Sequence, residues 1–361
     1  MYPLERFHEV TQAPLSNWND RFPHHRPLGV YNAYVPEEMF QAAGLTPVYL
    51  FHRSADRGGA RAHLPSFACW PGRSLVDQAL GGDLDGLAGM AFAQTCDVVQ
   101  ALTDIWRKAM PAVPVYHIGM PTNLATEQAR RYLLAELHHL RQALGGISDA
   151  ALSQACGVYN RTRELVAQLY DRAADLPPTD LHATLRAAFL MPKEEYNGLL
   201  AELLDGLPAA GFFGPRLILV GPHLADPALY QVIEAAGGRV VDDLLDIGRR
   251  YFAGPVTLNG DPLAALAERL LATLPTPTKH HPARRRDAHL VERVTQKRAD
   301  GVIFARQKFC DPHGFDYVHA RSALGKKGIP HLLIELEQSS QAGQLQTRVE
   351  AFVETIQESV Q

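Results

Sequence analysis

The chain has 361 residues, is 46% hydrophobic and 20% charged, and carries a net charge of −4. That size predicts two domains with a core large enough to need no disulfide staples, and the mildly acidic balance argues against a nucleic-acid partner held by bulk charge. No apolar run of about 18 residues is present, so no membrane span is expected, and the charged start, MYPLERFHEVTQ, predicts no secretory signal.

In chain order, Leu28 to Tyr34 reads as a strand. Pro36 sits at a helix start with Glu37 and Glu38 in the first turn, Gly44 is a helix stop, and Pro47 to Phe51 is a second strand. A strand over Leu87 to Ala93 then feeds a helix near Asp97, and Val113 to Ile118 is a further strand. Such alternation predicts a parallel α/β sheet. From 124 to 175 the pattern changes to two long helices. Leu133, Leu137, Leu140 and Leu144 share a face of the first. Gly145 and Gly146 end it, and Ser148 caps the second, whose stripe includes Leu152, Cys156, Tyr159, Leu165, Val166 and Leu169. Two shorter helices follow Pro177-Pro178 and Pro192.

A second α/β block begins at Arg216. RLILVG is a strand, DPALYQVIEAAGG a helix with its stop, RVVDDL a strand, and Asp261 to Leu274 a helix with Pro262 at its first position. PTPTKHHPARRR reads as a loop. A helix over 287–298, a strand over Gly301 to Ala305, a helix over 315–327, a strand over Pro330 to Leu336 and a helix from Gln344 to Ser359 complete the chain. The expected division is an N-terminal α/β domain (1–123), a helical connector (124–210) and a C-terminal α/β domain (211–361), each α/β domain a Rossmann- or flavodoxin-like parallel sheet.

Of the four cysteines, Cys69, Cys96 and Cys310 fall at turns that lead into helices, whereas Cys156 lies on a core helical stripe. Strand ends in open parallel sheets are where ligands bind, and a helix start favours a thiolate. The spacings are wide, with 26 residues between Cys69 and Cys96 and more than 200 before Cys310, and no C-x-x-C pair occurs. The local reading therefore leaves open a three-thiolate site between the domains, suited to iron–sulfur or zinc, and three unrelated buried thiols.

Seven motifs in order carry a resemblance. They are G-x-x-x-x-Y-x-P-E-E-x-x-x-A-A-G-x-x-P from Gly29, C-x-x-x-R-S from Cys69, T-C-D from Thr95 and M-P-K-E-E-Y-N from Met191. D-D-x-x-x-x-G-x-R-Y-F from Asp242, K-F-C-D-P-H from Lys308 and Q-L-Q-T-R-V-E-A-F from Gln344 follow. The chain resembles subunits of the 2-hydroxyacyl-CoA dehydratase and benzoyl-CoA reductase family, of the electron-accepting D-component type. The resemblance implies a [4Fe–4S] cluster in the inter-domain cleft, with Cys69, Cys96 and Cys310 as its ligands. It also implies a heterodimer with a related second subunit, an activator ATPase as electron donor and an acyl-CoA thioester reduced to a ketyl radical. Loss of water from a 2-hydroxyacyl group or reduction of an aromatic ring would follow. A relay or scaffold subunit, and a cluster-free two-lobed binding protein, are the remaining alternatives. The enzyme is expected to be cytoplasmic.

No G-x-x-x-x-G-K-[ST] or G-x-G-x-x-G motif is present, which leaves ATP chemistry to a partner. Thr95, Asp97, Trp70 and Asp311 adjoin the three cysteines and are candidates to tune them, the aspartates equally as helix caps. His313 reads as a loop histidine or an acid/base group. Asp242 and Asp243 read as structural, and the His pairs 24–25, 138–139 and 280–281 as surface. Arg284, Arg285 and Arg286 with Lys279 are the densest basic run and the candidate for CoA phosphates, or a solvated loop.

Overall fold

The computed structural model describes residues 2–53, 56–208, 214–337 and 342–360. Two four-stranded sheets dominate, and every strand pairing is parallel. The first holds β1 (Pro27–Tyr31), β2 (Thr46–Tyr49), β3 (Met90–Ala93) and β4 (Val115–Ile118) in the order β2-β1-β3-β4. The second holds β5 (Arg216–Gly221), β6 (Arg239–Leu245), β7 (Gly301–Gln307) and β8 (His331–Leu336) in the matching order β6-β5-β7-β8. In each sheet the winding reverses between the first and third strands, the switch point where open α/β sheets present ligand sites at their carboxyl ends. At that end of β5 the backbone of β7 comes close. A Cβ on Gly221 would stand 2.3 Å from the Ala305 carbonyl oxygen, so only glycine fits.

Between the sheets run two long helices, Glu127–Ala143 and Asp149–Asp171. Thr126 and Ser148 cap them, each hydroxyl accepting an amide hydrogen bond at 3.1 Å, and Gly145 and Gly146 take left-handed φ of 84° and 77° at the turn. Helices Pro178–Ala187 and Lys193–Gly206 complete this layer. The expected boundary at 210/211 lies outside the described residues. Among the described residues no helix is long and apolar enough to cross a membrane.

Three expectations change. β1 stops at Tyr31, not Tyr34, because Asn32 (φ 81°) and Tyr34 (φ 72°) turn left-handed. Asn32 is held there by a hydrogen bond to Thr95, and the Tyr34 hydroxyl accepts from the Thr276 amide at 2.9 Å. The helix expected over 315–327 is Asp311–Gly325. It begins directly after Cys310 because Pro312, in the first turn, needs no amide partner there. Finally, the structure adds an N-terminal helix, Pro3–Gln12. Pro3 at its start and the i, i+3 pair Phe7 and Val10, both buried, are the signals that mark it.

The P-E-E and M-P-K motifs meet in the interior. Glu37 and Glu38 are each only 1% exposed. Glu37 accepts from the Tyr159 hydroxyl at 3.0 Å and lies 3.4 Å from Lys193 Nζ, and Glu38 is paired with buried Arg163. Breaking a buried pair leaves an uncompensated charge and costs about 3–5 kcal/mol. Glu38→Ala is therefore expected to lower unfolding free energy by about that amount in urea titrations. Arg163→Met added to Glu38→Leu should recover much of the loss, and a Glu38→Ala variant as stable as wild type would contradict the pairing.

Candidate functional site

Each of the three turn cysteines is the N-cap of a helix. Cys69 precedes Trp70–Leu80, Cys96 precedes Asp97–Ala109 and Cys310 precedes Asp311–Gly325. Cys96 and Cys310 hold equivalent positions, each opening the helix that follows the third strand of its sheet. A helix start has free amide donors, and here they reach sulfur. The Gly72 amide bonds Cys69, the amides of Val98 and Val99 with the Thr95 hydroxyl bond Cys96, and the His313 amide bonds Cys310. Asp97 and Asp311 are first helical residues, so they complement the helix dipole while the cysteines take the cap position.

The three thiols fall within one another's fields. Burial pushes Cys69 up to about 11 and Cys310 up to about 12, and also raises Cys96. Cys96 adds to the rise at Cys69, and both Cys69 and Cys96 add to the rise at Cys310. Tyr31, buried at the end of β1, feels the charge of all three. Two sheets thus contribute to one locus. Cys156 is fully buried in the core, as its stripe predicts. Among the described residues no three His, Cys, Asp or Glu side chains form a group that could hold a metal ion.

Around this locus, Trp70 Nε1 donates to the Arg53 carbonyl at 2.8 Å, with the Arg73 guanidinium over its ring. Phe309, directly before Cys310, has φ 64° and is exposed, a strained setting for an aromatic residue. His313 is not a loop histidine. It is buried in the first turn of its helix, and its Nε2 lies 2.9 Å from Asp246, which pairs with Arg250 at 2.8 Å. Asp242 and Asp243 are structural. Asp242 pairs with Arg249 and Arg293, and Asp243 accepts from the Tyr170 hydroxyl and the amides of Leu245 and Arg249.

The basic run divides. Arg284 and Arg285 line a cleft of about 1220 Å³ with Arg161, Arg163, Arg249, Arg250, Arg269 and Arg293, against only Glu164 and Glu292. Arg286 instead binds Asp316 at 2.7 Å, and Lys279 is buried with its Nζ on the Met120 carbonyl. Lys279 therefore does not belong with the arginines, a correction to the expected grouping. Sequence proximity hides a chain that crosses from one sheet to the other. A second cleft, of about 680 Å³, is lined by His52, His182, Arg186 and Trp70. His52 Nδ1 lies 3.1 Å from His223 Nε2, and His182 Nε2 lies 3.0 Å from the Leu224 carbonyl.

Burial lowers all three of these histidines, His52 to about 4, His182 to about 3 and His223 well below its ordinary value. Unfolding lets them protonate near pH 6.5, so below that pH the unfolded state binds more protons and stability falls with pH. The loss approaches about 1.4 kcal/mol per pH unit for each histidine. Urea midpoints should drop steeply from pH 6.5 to 5, and His182→Gln should reduce the slope by about one proton. A flat profile over that range would refute the buried-neutral assignment.

A family model described as 2-hydroxyglutaryl-CoA dehydratase, D-component, matches residues 32–356. The chain is 28% identical over 343 residues to the (R)-phenyllactyl-CoA dehydratase beta subunit of Clostridium sporogenes, covering 91% of each. It is 28% identical over 376 residues to the beta subunit of the (R)-2-hydroxyglutaryl-CoA dehydratase of Acidaminococcus fermentans, covering 98% of each. It is also 28% identical over 353 residues to a subunit of the benzoyl-CoA reductase of Thauera aromatica, covering 91% of this chain and 89% of that one.

Proposed function

Because the chain belongs to the 2-hydroxyglutaryl-CoA dehydratase D-component family, we propose that it is the iron–sulfur subunit of a cytoplasmic 2-hydroxyacyl-CoA dehydratase, with Cys69, Cys96 and Cys310 holding a [4Fe–4S] cluster. The observation that carries this reading is the convergence of three N-cap cysteines from two sheets on one locus. The donor set suits the group. Iron–sulfur clusters are held by cysteine thiolates and tuned by hydrogen bonds to sulfur, and each of these three cysteines lies at a helix start with amide donors directed to its sulfur. When bound, the cluster supplies one electron at low potential.

The chain's own residues then have separable tasks. The amides of Gly72, Val98, Val99 and His313 and the Thr95 hydroxyl donate to sulfur, which favours thiolate over thiol and tunes the site. Arg284, Arg285 and their neighbours in the 1220 Å³ cleft are placed for the phosphates of an acyl-CoA. Arg250 lines that cleft and binds Asp246, which binds His313, whose amide reaches Cys310. The cleft is thus linked contact by contact to the cysteines. Exposed Phe67, Phe309, Phe315 and Val318 adjoin Cys69 and Cys310 in sequence and offer apolar surface to a second, related subunit, with an activator ATPase as electron donor.

After anoxic purification, iron and sulfide analysis should find both elements in wild type and in Cys156→Ser. Cys69→Ser, Cys96→Ser and Cys310→Ser should each lose most of the iron. An iron-free wild type overturns the reading. In calorimetric titrations with CoA, Arg284→Ala combined with Arg285→Ala should weaken binding at least tenfold. CoA bound by the partner subunit and not by this chain would instead assign this chain the role of electron relay.

A further inference from the structure

Lys279 belongs to the second half of the chain, between the helices Pro262–Ala272 and Arg286–Lys297. Residues 275–286 nevertheless cross to the first sheet. The Thr276 amide donates to the Tyr34 hydroxyl at 2.9 Å, the His280 amide to the Thr122 carbonyl at 2.8 Å and the Leu124 amide to the His280 carbonyl at 2.9 Å. This strap carries Lys279 inward until only 5% of it is exposed, with Nζ 3.1 Å from the Met120 carbonyl. Met120 and Cys96 each stand two residues beyond the same rung, where the Gln94 amide donates to the Ile118 carbonyl at 2.9 Å.

The ammonium is out of place as a purely structural group. It has three donors, and the Met120 carbonyl is its one hydrogen-bond acceptor among the described residues. Among those residues no carboxylate stands within ion-pair distance of it, whereas the other buried lysine, Lys193, lies beside Glu37. Buried charges are expensive unless compensated. Burial lowers Lys279 to about 8, and Cys96 is the one titratable group that acts in the opposite sense. The negative neighbours of the cysteines, Asp97 beside Cys96 and Asp246 beside Cys310, push the other way.

We propose that Lys279 is the fixed counter-charge of the anionic group held by Cys69, Cys96 and Cys310, placed by the 275–286 strap to raise that group's reduction potential. The inference rests on the cluster reading above. On reduction one electron enters from an external one-electron donor, which is oxidised. No bond forms or breaks, and the buried site becomes more negative by one charge. An ammonium held at fixed distance stabilises that product more than the starting state. Lys279 thus acts through its charge on the group that the cysteines hold.

The test is an anoxic redox titration of the full chain with dithionite and mediators, read by electron paramagnetic resonance, with iron measured in parallel. Wild type, Lys279→Met, Lys279→Gln and Lys279→Arg are compared. The neutral variants should keep iron and shift the midpoint negative, by a tenfold fall in the reduction constant, which is about 59 mV for a one-electron couple. Lys279→Arg, which keeps the charge, should stay near wild type. Loss of iron in the neutral variants alone, with Lys279→Arg retaining it, also supports the counter-charge. An unmoved or positive-shifted midpoint in iron-loaded neutral variants overturns the inference, as does equal loss of iron in all three. An iron-free wild type is a different result, since it removes the cluster reading itself.

Discussion

A helix presents unpaired amides only at its first turn, and a sulfur can use them only from the cap position. Three helices of this chain meet that condition, and they belong to two different sheets. Neither sheet can make the site by itself, so everything depends on the carboxyl edges of both being held toward one another. The helical layer supplies part of that restraint. Glu37 and Glu38, just beyond β1, are bound by Lys193, Tyr159 and Arg163 of the connecting helices, and Asp243 of β6 is bound by Tyr170 of the same layer. Asn160 closes a two-bond ring with Val256, each bond 2.8 Å. The strap 275–286 supplies the rest by tying the second half of the chain to Tyr34, Met120 and Thr122.

Such restraints explain which parts of the molecule are legible in the sequence. Strands follow from apolar runs, and the turn cysteines from their local contexts, because both are set by residues a few positions away. Cys156 separates from the other three by its place on a helical stripe. Long-range compensation is what local reading does not reach. Glu37 and Glu38 look like acids favouring a helix start, and nothing nearby indicates that Lys193 and Arg163 bury them. Lys279 groups with Arg284 to Arg286 by adjacency in sequence, yet its ammonium lies on Met120 while Arg284 and Arg285 line the arginine cleft. The left-handed turn at Asn32 and Tyr34 escapes the pattern for the same reason, since its partners, Thr95 and Thr276, are distant in sequence.

The two sheets share a strand order, yet the locus between them is not symmetric. Cys96 and Cys310 correspond, but the crossover from β6 to β7, the counterpart of the one that carries Cys69, has no cysteine. It carries Asp246 and Arg250 instead, and Asp246 engages His313 beside Cys310. A second copy of the Cys69 arrangement would close the set at four thiols. Its replacement by an ion pair leaves three, and Arg250 faces both that pair and the arginine cleft. Three thiolates from this chain would hold a cubic cluster in the proposed enzyme and leave one position for a ligand other than cysteine. In the proposed enzyme this asymmetry separates the two tasks. The first sheet supplies two of the three sulfurs, while the second half of the chain supplies the third, the compensating charge of Lys279 and the cationic approach. A substitution in the Asp246–Arg250–His313 chain is therefore expected to act on what reaches the site, and one at Lys279 on how readily the site accepts an electron.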